Sequence, residues 1–278
     1  MIRLNEKEIE QYFDLGYLHV PNVYTPEEVE QCRAIIDEDQ ASGGWQTAPY
    51  HTDSVTTDIY ERLPALSNII FNSNYVSIVQ QLFAEEPIII AEPAVHKSRY
   101  YYWHKDSTFI TEQGEDYHLD KQFQAAMSVM YLQENHPDFG GGISLIPGSQ
   151  WTEDYPARIP EMSLLERGVL KLKKTLKLSY FDKLDQHKDL LPIPTKLGDV
   201  LFIDMRLDHK GTPAKKASPL TKYGIMNIAS KGEEDARKLQ RTLRNRDSGY
   251  YKNYLRHEPD CTPVLKELSD KHDVKIIL

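Results

Sequence analysis

The stretch Gly198-Asp199-Val200-Leu201-Phe202-Ile203-Asp204, continuing through Met205-Arg206-Leu207-Asp208 to His209, reads as a turn feeding a hydrophobic strand that delivers a histidine. Working outward, segments of similar composition recur at Ile88–Ile90, Ala94–Tyr102, Gln124–Leu132, Ile143–Ile146 and Lys222–Ala229. Each is bounded by Gly, Pro or Asp-Asn clusters. Many short strands without crossover helices between them predict a mainly β fold, an antiparallel sandwich or barrel.

The flanks read differently. Leu4–Gly16 is a short helix with Ile9, Tyr12 and Phe13 on one face and Gly16 as its stop, followed by the strand Tyr17–Val20. Thr25-Pro26-Glu27-Glu28 supplies an N-cap, a first-turn proline and a capping-box glutamate. The helix it opens runs to about Asp39, with Val29, Cys32, Ile35 and Ile36 together. Tyr75–Phe83 is helical. Leu164–Asp189, rich in Lys and Leu, reads as an amphipathic lid, and Lys231–Leu278 as a helical close to the chain. With no repeat and no Gly/Ser linker, residues 1–278 form one expected domain. It divides into a helical flank to about residue 85, a core over about 86–230 with an insert at about 160–190, and a helical extension from about 231.

A net charge of −9 over 278 residues excludes a concentrated basic surface, so no nucleic-acid partner is expected. No apolar stretch approaches the roughly 20 residues that span a bilayer, and the start Met1-Ile2-Arg3 has no signal-peptide pattern. Cys32 and Cys261 read as buried thiols of a reducing compartment. The expectation is a cytoplasmic protein without membrane insertion, whose oligomeric state is not legible.

His104-Lys105-Asp106 sets an imidazole and a carboxylate two residues apart, on one face if the segment is extended. With His209 they form a 2-His-1-carboxylate set, the facial triad of non-haem Fe(II) oxygenases, which leaves adjacent coordination positions open. An isolated H-x-D is weak, and a surface histidine beside a solvated Asp is the bland alternative.

Four segments in order carry a resemblance to a known family. They are Tyr12-Phe13…Gly16-Tyr17-Leu18-His19-Val20-Pro21-Asn22-Val23 with Thr25-Pro26-Glu27-Glu28-Val29; His104-Lys105-Asp106; Gly141-Gly142-Ile143-Ser144-Leu145-Ile146-Pro147-Gly148-Ser149-Gln150; and Gly198–Phe202 with Arg206–His209. Together they resemble the phytanoyl-CoA dioxygenase family of Fe(II)/2-oxoglutarate-dependent oxygenases over about residues 8 to 230. The resemblance implies a double-stranded β-helix (jelly-roll, cupin-like) core with flanking α-helices. It implies Fe(II) on His104, Asp106 and His209 as metal-binding and catalytic residues, with 2-oxoglutarate and O₂ as co-substrates. Decarboxylation to succinate and CO₂ would drive hydroxylation of an unactivated C–H bond in a small-molecule substrate. The retained Asp106 favours hydroxylation over halogenation.

One departure stands out. The family's arginine for the distal carboxylate of 2-oxoglutarate lies about eleven residues after the second histidine, where this chain has Leu220, and no Arg lies between His209 and Arg237. Lys222, sharing a strand face with Gly224 and Met226, is the replacement candidate, with Thr212 or Thr221 adding a hydroxyl and Lys97 or Arg99 as other cations. For substrate contacts the candidates are Tyr102, Arg99, Ser128 and, at the rim, Trp151. Arg237, Arg241 and Arg244 form a helical stripe, read as a solvated face beside Glu233, Glu234 and Asp235. Two alternatives to the oxygenase remain: a catalytically inactive jelly-roll ligand-binding protein that keeps the triad, and a Zn hydrolase, disfavoured by the absence of H-E-x-x-H.

Overall fold

The computed structural model describes residues 1–45, 55–83, 87–97, 103–152, 183–245 and 262–277, with single positions 165, 168, 169 and 172. Seven strands form a large sheet: β1 (Tyr17–Val20), β2 (Val55–Thr57), β3 (Pro87–Lys97), β4 (Ala125–Tyr131), β7 (Val200–Asp204), β9 (Tyr223–Lys231) and β10 (Lys275–Ile277). Their order is β1-β7-β4-β9-β3-β10, with β2 paired to β3. Strands β5 (Ile143–Leu145), β6 (Leu191–Pro192) and β8 (His209–Gly211) make a small sheet of order β6-β5-β8.

Side-chain alternation gives the large sheet two unlike faces. Ala126 and Met130 of β4 join Val200 and Phe202 of β7 and Tyr223 and Ile225 of β9 in a core shared with the helices. Met127, Val129 and Tyr131 point the other way and pack with Leu201 and Ile203 of β7 and Ile143 and Leu145 of β5. The two sheets therefore face one another across this second cluster, with helices covering the outside of the large one. This is the jelly-roll architecture.

Helices α1 (Glu6–Leu15), α2 (Pro26–Ala41), α3 (Ile59–Arg62), α4 (Pro64–Ile70) and α5 (Ser73–Phe83) supply much of the outer layer. Both long N-terminal helices begin in reciprocal capping boxes, Asn5 with Glu8 and Thr25 with Glu28. Gly16 ends α1 at φ 77°, a left-handed position glycine adopts without steric cost. After the short α6 (Thr108–Glu112), α7 (Gly232–Asn245) buries Ala236, Leu239 and Leu243 against Ile88, Ile90 and Phe123. Arg237 is ion-paired to Glu233 at 3.4 Å, as expected of a solvated stripe. The side chain of Arg244 lies outside the described residues. No helix among the described residues is long and apolar enough to cross a membrane.

Three expectations need correction. Ile88–Ile90 and Ala94–Tyr102, read as two strands, belong to one strand, β3, as far as Lys97. Its register against β9 slips between Ile90 and Ala94, where Pro93 lacks an N–H for the ladder. The N-terminal flank holds, besides the expected strand Tyr17–Val20 (β1), a strand that was not expected, β2, and both enter the large sheet. The C-terminal segment is not only helical either. After α8 (Pro263–His272), β10 adds a strand parallel to β3, pairing Lys275, Ile276 and Ile277 with Ile88, Ile89 and Ile90. Three residues are too few to show a period, so this pairing is a tertiary decision. Most of the expected lid, with Lys171, Lys173, Lys174 and Lys177, and also Cys261 and Arg246, lie outside the described residues.

Candidate metal centre

The quoted motif segments are one hydrogen-bonded assembly. Asp204 N donates to Gly16 O (2.8 Å), and Gly148 N to Leu15 O (2.9 Å). Ile146 N donates to Asp208 O at 3.0 Å, and Asp208 N returns to Ser149 Oγ at 2.8 Å. Lys105, 1% exposed, places its ammonium on Ser149 O (2.6 Å) and Thr152 O (2.8 Å). Ser107 N reaches Met205 O at 2.8 Å. Arg206 clamps the strand exit, its Nε and Nη2 on the two oxygens of Asp204 (2.8 and 2.6 Å) and its Nη1 on His118 O (3.1 Å). The Gly-Asp turn is structural too. At Gly198, φ 81°, a Cβ would stand 2.3 Å from Tyr24 O, while Asp199 accepts from Asn22 N, Lys196 N and His19.

This assembly holds three side chains together. His104 N donates to His209 O (3.1 Å) and His209 N to His104 O (3.0 Å), a two-residue bridge that sets the imidazoles side by side with centroids 4.3 Å apart. His104-Lys105-Asp106 is not a strand, as the same-face expectation assumed. The bridge ends at His104 and Asp106 sits in the turn entering α6. Asp106 Oδ1 lies 3.8 Å from His104 Nε2 and Oδ2 lies 3.7 Å from His209 Nε2. One donor atom from each residue falls within 4.8 Å of the others.

The donor set fits a metal. Separations of 3.7 and 3.8 Å exceed a hydrogen bond yet can be spanned by one ion bonded to both atoms at about 2.1 Å. Asp106 Oδ2 is buried without a hydrogen-bond partner among the described residues, an orphan that a cation would satisfy. His209 Nδ1 meets Leu207 O at 3.0 Å, so that nitrogen carries the proton and Nε2 keeps its lone pair toward Asp106. His209 is buried while His104 and Asp106 are partly open, at 35 and 20% of their side chains, which leaves one side for other ligands.

Lys222 stands just ahead of β9. Alternation puts it on the inner face with Gly224 and Met226, the latter packed on the between-sheet cluster. Its ammonium donates to Phe139 O, and burial lowers its pKa. The other co-substrate candidates point elsewhere. Lys97 pairs with Tyr223 in the ladder, on the helix-covered face, and its Nζ donates to Gln40 of α2 at 2.9 Å. Thr212 Oγ1 lies 3.3 Å from Ser144 Oγ, and Ser144 shares a face with Lys210, opposite to His209. Thr221 meets α2 through its carbonyl, which accepts from Arg33 at 2.8 Å.

Among the substrate candidates, Ser128 is corrected. It lies on the helix-covered face of β4, its Oγ 2.9 Å from Tyr75 Oη, so the sheet stands between it and the barrel interior. Trp151 is half exposed, with the Arg206 guanidinium 4.4 Å from its ring centroid. Tyr102 and Arg99 lie outside the described residues. Two residues were missed. Asp185, in the supposed lid, accepts from Trp103 Nε1 (2.9 Å) and from Lys210, tying together the neighbours of both histidines. Tyr131, not Ser128, is the polar side chain that β4 turns inward. No sequence signal separates them, because all seven β4 residues are buried.

The model of the phytanoyl-CoA dioxygenase (PhyH) family matches residues 12–218. No curated protein matches the chain. Among solved structures, EctD from S. alaskensis with bound Fe is 16% identical with a TM-score of 0.60, covering 82% of this chain and 77% of that one. HygX from Streptomyces hygroscopicus with nickel and 2-oxoglutarate bound is 14% identical with a TM-score of 0.57, covering 82 and 87%. The carbocyclase SnoK from nogalamycin biosynthesis, 15% identical with a TM-score of 0.55, covers 82 and 84%. At these identities the neighbours show the shared fold. The family match, spanning all four motif segments, establishes more: this chain belongs to the phytanoyl-CoA dioxygenase family of Fe(II)/2-oxoglutarate-dependent oxygenases.

Proposed function

We propose that His104, Asp106 and His209 hold Fe(II), that Lys222 anchors the distal carboxylate of 2-oxoglutarate, and that the enzyme hydroxylates an unactivated C–H bond of a small metabolite. The observation that carries the reading is Asp106 Oδ2, buried and without a hydrogen-bond partner among the described residues, beside two imidazole nitrogens. When bound, the metal supplies O₂ activation coupled to conversion of 2-oxoglutarate into succinate and CO₂.

The chain's residues do the rest. Leu207 O fixes the tautomer of His209. The His104–His209 bridge sets the angle between the rings. Asp106 contributes the one negative charge of the donor set and occupies the position a halide would need. Met127, Val129, Leu201 and Ile203 belong to the buried apolar cluster that also holds Leu145, the ladder partner of His209, and such surroundings keep water from the reacting atoms. Lys222 retains donors beyond its bond to Phe139 O, and a carboxylate there offsets the desolvation that lowers its pKa. A small-molecule substrate agrees with EctD, crystallised with 2-oxoglutarate and 5-hydroxyectoine.

Adding Fe(II) and then 2-oxoglutarate without oxygen tests the reading. Chelation of the oxo acid gives a weak visible charge-transfer band, expected in the wild type and weakened in Lys222→Ala. Iron binding without a band would leave the inactive ligand-binding protein as the better account. On addition of O₂, succinate release with a hydroxylated substrate is the expected completion.

A further inference from the structure

The inner face of the large sheet holds a polar group that nothing above employs. Tyr131 closes β4, is 3% exposed, and its hydroxyl has no hydrogen-bond partner among the described residues. Its ring belongs to the cluster between the two sheets, with Met127, Val129, Leu145 and Leu201. Burial pushes its pKa far above the ordinary phenol value, so the group is a neutral donor throughout the working range. A buried hydroxyl is ordinarily paired, and an atom supplied by a bound ligand is one way to satisfy a hydroxyl left without a partner.

The ladder says which ligand atom. Tyr131 lies directly opposite Gly224 across β4 and β9, and Lys222 precedes Gly224 by two residues on the same face. Tyr131 and Lys222 are therefore diagonal cross-strand neighbours, about 7–8 Å apart at the backbone and within reach of one another's long side chains. Gly224 contributes no side chain between them. On the third strand His96 is opposite the same glycine, completing the row. The neighbouring Gln133 is already engaged. Gln133 Oε1 accepts from Tyr223 N (2.7 Å) and its Nε2 donates to Gly141 O (3.0 Å). Gly141, φ 97°, lies so close to the lysine stem that a Cβ would stand 3.1 Å from Lys222 Cδ. The Lys222 ammonium and the Tyr131 phenol are thus two donors on adjacent strands of this face.

We propose that Tyr131 Oη is the second donor to the distal carboxylate of 2-oxoglutarate. Lys222 and Tyr131, an ammonium and a phenol on adjacent strands, together replace the two-pronged guanidinium missing at Leu220. Leu220 is 62% exposed and turned to solvent, which leaves its own position empty of any anion-binding group. A lysine alone is a point charge and fixes no orientation. A second donor at a set distance restores the two-point grip. The inference rests on the iron and 2-oxoglutarate reading of the triad.

Tyr131→Phe removes only the oxygen, and pyruvate is a 2-oxo acid that chelates iron identically but lacks the distal carboxylate. Both acids would be titrated into the Fe(II)-loaded protein without oxygen, following the charge-transfer band. The expected result is 2-oxoglutarate binding weakened about tenfold or more in Tyr131→Phe, with the pyruvate and Fe(II) affinities unchanged. The wild-type preference for 2-oxoglutarate over pyruvate would shrink accordingly. In Tyr131→Phe/Lys222→Ala the two losses should be non-additive. A variant that binds 2-oxoglutarate as tightly as the wild type overturns the inference and leaves the co-substrate reading standing. Wild type that binds Fe(II) yet gives no band with 2-oxoglutarate removes both.

Discussion

Lys105 shows how a residue between two ligands can matter without touching the metal. Its ammonium is buried and holds Ser149 O and Thr152 O, joining the turn that carries His104 and Asp106 to the loop that supports Asp208. Lys105→Met keeps most of the volume but orphans those carbonyls, at a cost of about 1–3 kcal/mol. The expected result is a lowered denaturant midpoint together with weaker Fe(II) binding, because the same bonds set stability and ligand placement. Asp106→Ala should separate the two. It relieves a buried unpaired oxygen, so stability without metal holds or rises while Fe(II) binding and turnover are lost together; retained turnover would dismiss the triad. Cys32 offers a third check. Burial pushes its thiol up to about 12, so alkylation at pH 8 should reach it only after unfolding, as peptide mapping would reveal.

At the scale of elements, the strands most visible in the sequence are those bounded by turns whose chemistry is local. Gly198-Asp199 announces β7 because Gly198 must approach Tyr24 O and Asp199 must accept from two backbone amides. Thr25-Pro26-Glu27-Glu28 announces α2 for the same kind of reason. β10 has no such signal, and it matters all the same. Ile276, 3% exposed, sits in the core beside Leu265 and Leu268 of α8, and its strand covers the β3 edge. Ile276→Ala should cost about 2–4 kcal/mol in chemical denaturation while leaving Fe(II) affinity unchanged. A midpoint that does not move would mean the C-terminal strand contributes nothing to the core.

Over the whole molecule, the jelly roll brings together donors from distant parts of the chain, so metal binding and folding are coupled. Ligand that binds only the folded state stabilises it by about 2.7 kcal/mol at one hundred times its Kd. For a domain of this size that is a rise in Tm of roughly 5–10 °C. Redox-silent Mn(II) with 2-oxoglutarate should produce such a rise, and a chelator should reverse it; an unchanged Tm would contradict a site built from distant parts of the chain. The sequence alone determined the strand-rich core, the capped helices and the triad, because caps, turns and an H-x-D with a later histidine are written in neighbouring residues. Which residues look into the barrel was decided only by tertiary structure. β4 and β7 are buried on both faces, so the alternation that would separate Ser128 from Tyr131 never appears in their hydrophobicity. The same limit sent Lys97 to the helix side and left Lys222 facing inward, since a strand's facing is fixed by its register against partners far away in the chain.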